Sequence, residues 1–185
     1  MGLLEFDGVE WSFYPSPNGT VIRSVAVDQN NRIYTSGYRE IGYWERDRVG
    51  KLVYQSLNHK AESKFSKNEE FWTTEIIGDK VYFHSFSSVF VYDNEEFRVI
   101  RINAMINSIH NLDGALCLNV AQRGLFLAED TLLKPFLHQP EISNDLIRFS
   151  FYLEDSSLLI GTSSRGLFRY SENRVIPFLE EWNDY

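Results

Sequence analysis

A short motif that recurs along the chain limits the possible folds more tightly than composition does. Its clearest copy is Ser157-Ser-Leu-Leu-Ile-Gly-Thr-Ser-Ser-Arg-Gly-Leu-Phe-Arg-Tyr170, two apolar runs separated by a small, glycine-containing turn. Looser copies occupy residues 31–44, 80–93 and 115–129, and a shortened one is Gly2-Leu-Leu-Glu-Phe6. With Gly2, Gly42, Ser88, Gly124 and Gly166 taken as equivalent points, the intervals are 40, 46, 36 and 42 residues. A unit repeating at about 40 to 50 residues has the length of one four-stranded β-propeller blade. The aromatic supply, 14 Phe, 10 Tyr and 4 Trp, suits strands.

Turn signals divide the chain accordingly. Asp7-Gly8 joins two strands of a half blade over 1–14, and Pro15-Ser-Pro17 with Asn18-Gly19 ends the second strand. Complete blades are predicted over 20–56, 71–101, 105–136 and 146–178, with Gly42, Gly124 and Gly166 at the start of, or the turn before, each third strand. The polar stretch 57–70 is expected to be a solvated loop insertion. No stretch of 12 residues carries a 3.6-residue apolar stripe, so helix content should be very low. The expected fold is therefore all-β, a β-propeller of about four and a half four-stranded antiparallel blades, read as part of a larger ring. Bare apolar blade faces at the two ends, with Leu3, Leu4, Phe6 and Trp11 at one and Leu167, Phe168 and Ile176 at the other, predict self-association.

These motifs resemble the two-component regulator propeller repeat, whose blades read roughly V-x-S-I-x-x-D-x-x-G-x-I-W-I-G-T-x-x-G-L-x-R-Y. Leu158-Leu-Ile-Gly-Thr162 followed by Gly166-Leu-Phe-Arg-Tyr170 is similar to the second half of that pattern. Arg23-Ser-Val-Ala-Val-Asp28 through Arg32-Ile-Tyr34 is similar to the first. The chain departs from it at Ser88, where the family prefers Gly, and at Leu118-Asn119, where the Gly-Thr pair is missing. The resemblance implies a periplasmic or otherwise extracytoplasmic sensor of a membrane-anchored bacterial receptor. It also implies a Tyr-rich β-sandwich, a membrane helix, and a histidine kinase or LuxR-type helix-turn-helix elsewhere. The run from Gly2 to Trp11, with Ile33-Tyr34 and Gly42-Tyr43, looks most like the LuxR-type, triple-tyrosine group.

Chemistry-bearing patterns are sparse. A net charge of −8, from 18 Lys+Arg against 26 Asp+Glu, argues against contact with nucleic acid or an anionic membrane by this segment. The single cysteine, Cys117, reads as a small apolar strand residue. His59, His84, His110 and His138 have no metal-ligand spacing, and no Gly-x-Ser-x-Gly elbow occurs, so no catalytic residue, metal or cofactor is assigned. Asp28-Gln-Asn-Asn31 lacks the Gly and distal Glu of a calcium loop. The pairs Glu69-Glu70, Glu95-Glu96, Glu154-Asp155 and Glu180-Glu181 fall in predicted turns. Binding is the function that suits the architecture, because residues beginning the innermost strands face the channel mouth. Aligning the blades there selects Arg23, Trp72, Asn107 and Phe149, with Arg148 adjacent, as the candidate site for a small molecule or oligosaccharide. The alternative is a carbohydrate-active propeller enzyme, a glycoside hydrolase or lyase, with convergent carboxylates at the same mouth.

Overall fold

The computed structural model describes residues 1–143 and 145–178. The described residues fall into two compact units, the first Met1–Val99 and the second beginning at Ile100. The first begins with a hairpin of β1 (Gly2–Phe6) and β2 (Trp11–Pro15), in register from Gly2 opposite Pro15 to Phe6 opposite Trp11. At its turn the Asp7 carboxylate accepts the N–H groups of Val9 and Glu10, each at 2.8 Å, while Gly8 takes φ 101°. Those N–H donors, Glu10 first, hold the Asp7 pKa below its ordinary value. Strand alternation places Leu4, Phe6, Trp11 and Phe13 on one face, where all four are more than half exposed. On the opposite face the Tyr14 ring meets Trp44 at 6.0 Å, and Glu5 pairs with Arg46.

Two further four-stranded antiparallel sheets complete this unit. The first comprises β3 (Ile22–Val27), β4 (Ile33–Gly37), β5 (Glu40–Arg46) and β6 (Leu52–Ser56) in sequence order. The second comprises β7 (Thr73–Ile77), β8 (Lys80–His84), β9 (Ser88–Asp93) and β10 (Glu96–Arg101). Their first strands, β3 and β7, touch. The contact is tied by polar groups: the Thr74 N–H donates to Ser24 Oγ at 2.8 Å, and the Ser36 and Thr74 hydroxyls bond at 2.9 Å. Apolar side chains fill the rest, with Tyr34, Ile41, Val81, Phe83 and Phe90 buried. Phe71 and Phe90 meet edge to face at 5.2 Å.

The stretch 57–70 is not the solvated loop expected from its polarity. It carries α1 (Asn58–Ala61) and a 3-10 turn, Glu62–Lys64, and it buries Leu57 and Ala61 completely or nearly so. Phe65 packs on Phe71 and Phe90 at 5.3 and 5.4 Å. Most of its charged residues, Glu69 excepted, cover the outside of a plug whose few apolar side chains are buried or partly buried, a pattern too short for periodicity to reveal. Gly42 also differs from expectation, because it lies inside β5, and the preceding turn is made by Tyr38 and Arg39, the latter at φ 51°. Gly42 is needed for space, since any Cβ there would run into the Tyr54 hydroxyl.

The second unit repeats the pattern. One sheet comprises β11 (Ile106–Leu112), β12 (Ala115–Val120), β13 (Gly124–Glu129) and β14 (Leu132–Leu137). After α2 (Pro140–Ser143) comes another of β15 (Ile147–Tyr152), β16 (Leu158–Thr162), β17 (Leu167–Ser171) and β18 (Arg174–Pro177). Here too the first strands, β11 and β15, are in contact, and the Ser108 hydroxyl donates to the Ile147 carbonyl at 2.9 Å. Ser24 and Ser108 thus occupy the same place in their repeats and both tie their strand to the next sheet, Ser24 as acceptor and Ser108 as donor. Leu125, Ile142, Ile147, Leu158 and Ile160 are fully buried around Cys117. That burial pushes the Cys117 thiol up to about 12. Contrary to expectation, Phe168 is buried in this core, whereas Ile176 is half exposed.

Candidate functional site

Three of the sequence-selected residues, Arg23, Asn107 and Arg148, share one backbone feature that sequence does not display. In β3 the pairing with β4 shifts between Ile22 and Ser24, in β11 between Ile106 and Ser108, and in β15 between Ile147 and Phe149. The unpaired residues are Arg23, Asn107 and Arg148, each a β-bulge at the second position of its sheet's first strand. Trp72 directly precedes β7 and donates its N–H to the His84 carbonyl at 2.8 Å, so it sits at the matching place. A bulge turns its side chain away from the regular alternation and commonly does so at sheet rims. The expected equivalence of Phe149 is corrected by this register: the matching residue is Arg148. Phe149 instead lies over Gly161, where a Cβ would strike its ring, and stacks on Phe151 at 5.9 Å.

In the first unit these positions converge. The Glu70 carboxylate accepts Arg23 Nε at 2.7 Å and its Nη2 at 2.5 Å. It thereby holds the guanidinium 4.4 Å from the centroid of the Trp72 ring. Phe86, from the turn between β8 and β9, meets Trp72 at 5.5 Å edge to face. The partners lie on separate elements: Arg23 on β3, Trp72 before β7, and Glu70 bridged antiparallel to Tyr38. A cation fixed over an indole, with Trp72 38% and Phe86 48% exposed, presents a flat, partly apolar surface bearing free guanidinium donors. Such a surface suits a ring-shaped polar ligand.

Beneath it, Glu69 is buried, accepting the Ser66 N–H at 2.7 Å and the Ser85 hydroxyl. Of the acidic pairs expected in turns, this one therefore splits into a buried structural carboxylate and a rim carboxylate. Glu96 begins β10, and Glu180-Glu181 lies outside the described residues. Glu70 and Phe86 were missed by sequence reasoning. Glu70's immediate precedence of Phe71-Trp72 was the only available signal, whereas Phe86 had none.

In the second unit, Asn107 is half-buried at its bulge, and Arg148 donates through Nε to Ser163 Oγ at 2.6 Å. Nearby, Asp145 accepts the Ser164 N–H and hydroxyl, each at 3.0 Å, and the Leu146 N–H at 2.7 Å. Burial alone would raise its pKa, but these donors outweigh burial and lower it. Asp145 thus fixes the turn that carries Ser163 and Ser164. His84 and His110 are buried in β8 and β11, and burial depresses His110 to about 4. Among the described residues, no three His, Cys, Asp or Glu side chains gather as a metal site.

No protein-family model matches the sequence, and no curated protein matches it. Solved structures do. The extracellular domain assigned to a hybrid two-component system of B. thetaiotaomicron aligns with TM-score 0.68 and 17% identity, over 92% of this chain and 25% of that one. A second structure of that extracellular domain, assigned to a one-component system, aligns with TM-score 0.65 and 18% identity, over 98% and 26%. Virginiamycin B lyase from Staphylococcus aureus aligns with TM-score 0.63 and 12% identity, over 86% and 55%. The chain therefore spans about half of the lyase and a quarter of the sensor domain. All are propellers, and this chain has the β-propeller fold. At such identities the likeness concerns fold alone.

Proposed function

We propose that this chain is the ligand-sensing part of a propeller in an extracytoplasmic bacterial signalling receptor of the two-component regulator type. Its kinase or transcription-regulator output would reside outside these residues. The observation that carries the reading is the Glu70-clamped Arg23, at the β3 bulge, stacked on Trp72 beside Phe86, an exposed aromatic and cationic platform. Fold likeness to the sensor extracellular domains supports it, as do the repeat motifs; among the described residues no helix is long and apolar enough to cross a membrane. A small molecule or oligosaccharide would stack on Trp72 and take hydrogen bonds from Arg23, and its binding would be passed on as a rigid-body displacement.

Tryptophan fluorescence titrated against an oligosaccharide panel tests this. Saturable quenching is expected, lost in Trp72→Ala and weakened about tenfold or more in Arg23→Ala, as for loss of a charged hydrogen bond and a stacking partner. Binding unaffected by either change would overturn the assignment. The lyase likeness points to an enzyme as the second reading, and turnover of the bound sugar in the same titration would favour it.

A further inference from the structure

At the end of the first unit opposite the platform, the turns of its two sheets enclose a second concavity. This cleft, of about 270 Å³, is walled by the β3–β4 turn, the β7–β8 turn and the β9–β10 turn. Its floor is apolar and aromatic, with Ile76, Val81, Tyr34 and Tyr92. Its rim is polar and carries charge of both signs: the carboxylates of Asp28, Asp79 and Glu95, the guanidinium of Arg32, and several amides.

Much of this rim is already organised by its own contacts. Asp28 Oδ1 accepts the N–H groups of Asn30 and Arg32 at 2.8 and 2.9 Å, which fixes the turn and leaves its other oxygen outside those bonds. Gln29 Nε2 reaches across from the first sheet to Asp79 Oδ1 of the second at 3.0 Å, so the two turns are held at a set spacing. Arg32 hydrogen-bonds the Tyr34 hydroxyl, lies over the Tyr43 ring at 5.0 Å and pairs loosely, at 3.5 Å, with Glu45, which leaves part of its donor set for a ligand. Glu95 is engaged by Lys60 from α1. The groups left with capacity are therefore the Asp28 carboxylate and the Arg32 guanidinium on the β3–β4 turn and the Asp79 carboxylate on the β7–β8 turn across from them, above an apolar floor.

That arrangement discriminates among ligands. A simple anion meets three carboxylates against one guanidinium. A simple amine offers nothing to the guanidinium's remaining donors. A molecule bearing both an ammonium and a carboxylate group, with an apolar remainder, satisfies both signs of charge and the floor at once. The volume suits a single small molecule of that kind.

We propose that this cleft binds a free α-amino acid, its ammonium group against Asp28 and Asp79, its carboxylate against Arg32, and its apolar side chain over Ile76, Val81 and Tyr92. The site is separate from the Trp72 platform, so the two readings stand or fall independently.

Calorimetric titration of the whole chain with L-leucine tests this, alongside isoamylamine and 4-methylpentanoate, which each lack one of the two charges. Leucine is expected to bind saturably and about tenfold or more tighter than either analogue, as the loss of one charged contact implies. Asp79→Asn, which keeps shape and the Gln29 acceptor, and Arg32→Gln should each weaken leucine by a similar factor. Asp113→Asn, an equal charge change at an exposed turn of the second unit, should leave it unchanged. Circular dichroism and the thermal midpoint of each variant report whether it remains folded. Leucine binding no better than isoamylamine, or persisting undiminished in folded Asp79→Asn and Arg32→Gln, would overturn the proposal, as would absence of binding by the unaltered chain.

Discussion

Two glycines in one sheet offer a clean test of the second unit's packing. Gly114, in the β11–β12 turn, and Gly124, at the start of β13, have nearly the same φ, 83° and 86°. Their surroundings differ: a Cβ on Gly114 meets nothing within 4 Å, whereas one on Gly124 drives into the Leu137 carbonyl oxygen of β14. Alanine at either position bears the left-handed backbone cost of about 1–2 kcal/mol, offset by about 0.4–1 kcal/mol from a stiffer unfolded chain. Only Gly124→Ala must also move a strand backbone, which by analogy with overpacked cores adds about 1–3 kcal/mol. Subtracting one variant from the other cancels the backbone terms and leaves the overlap. Urea denaturation at a fixed temperature should therefore show Gly124→Ala less stable than Gly114→Ala by about 1–3 kcal/mol. For a chain of this length that corresponds to a thermal midpoint lower by roughly 2 to 10 °C. Equal stability of the two variants would refute the β13–β14 register, in which Leu125 opposes Leu137.

Burial of His110 makes stability depend on pH. Its folded pKa, about 4, lies below the ordinary 6.5, so the unfolded chain binds the extra proton between those values and stability is lost as pH falls through them. The loss should approach about 3 kcal/mol, and thermal melts of His110→Leu from pH 7 to 5 should show a visibly shallower decline than the unaltered chain. The exposed hairpin face should drive self-association. Light scattering over a concentration series should show it, with Phe6→Ser plus Trp11→Ser shifting the balance toward monomer; a parent chain monomeric at high concentration would contradict this. Gly166, at φ 86° before β17, should not tolerate Val, and denaturation should place Gly166→Val well below Lys67→Ala, an exposed change in the 57–70 plug.

Sequence alone determined the repeat and most of the features that local backbone chemistry dictates. Turns announce themselves because Asp, Asn and Gly bond or bend locally: Asp7 and Asp155 accept neighbouring N–H groups where a turn was expected, and Asp28 and Asp47 do the same in the turns after β3 and β5. The all-β character and the antiparallel sheets in sequence order arise from that punctuation. Sequence also selected Arg23 and Trp72, because position within a repeat is a one-dimensional property. Tertiary structure decided the rest. The bulges that aim Arg23, Asn107 and Arg148 depend on how two strands register, and a one-residue slip there exchanged Phe149 for Arg148. Glu70 and Phe86 became site residues only when two sheets placed separate turns side by side. The plug at 57–70 looked solvated because its buried residues are few and irregularly spaced. Whether a polar stretch packs depends on what it covers, and only the folded neighbours, Phe71 and Phe90, supply that surface.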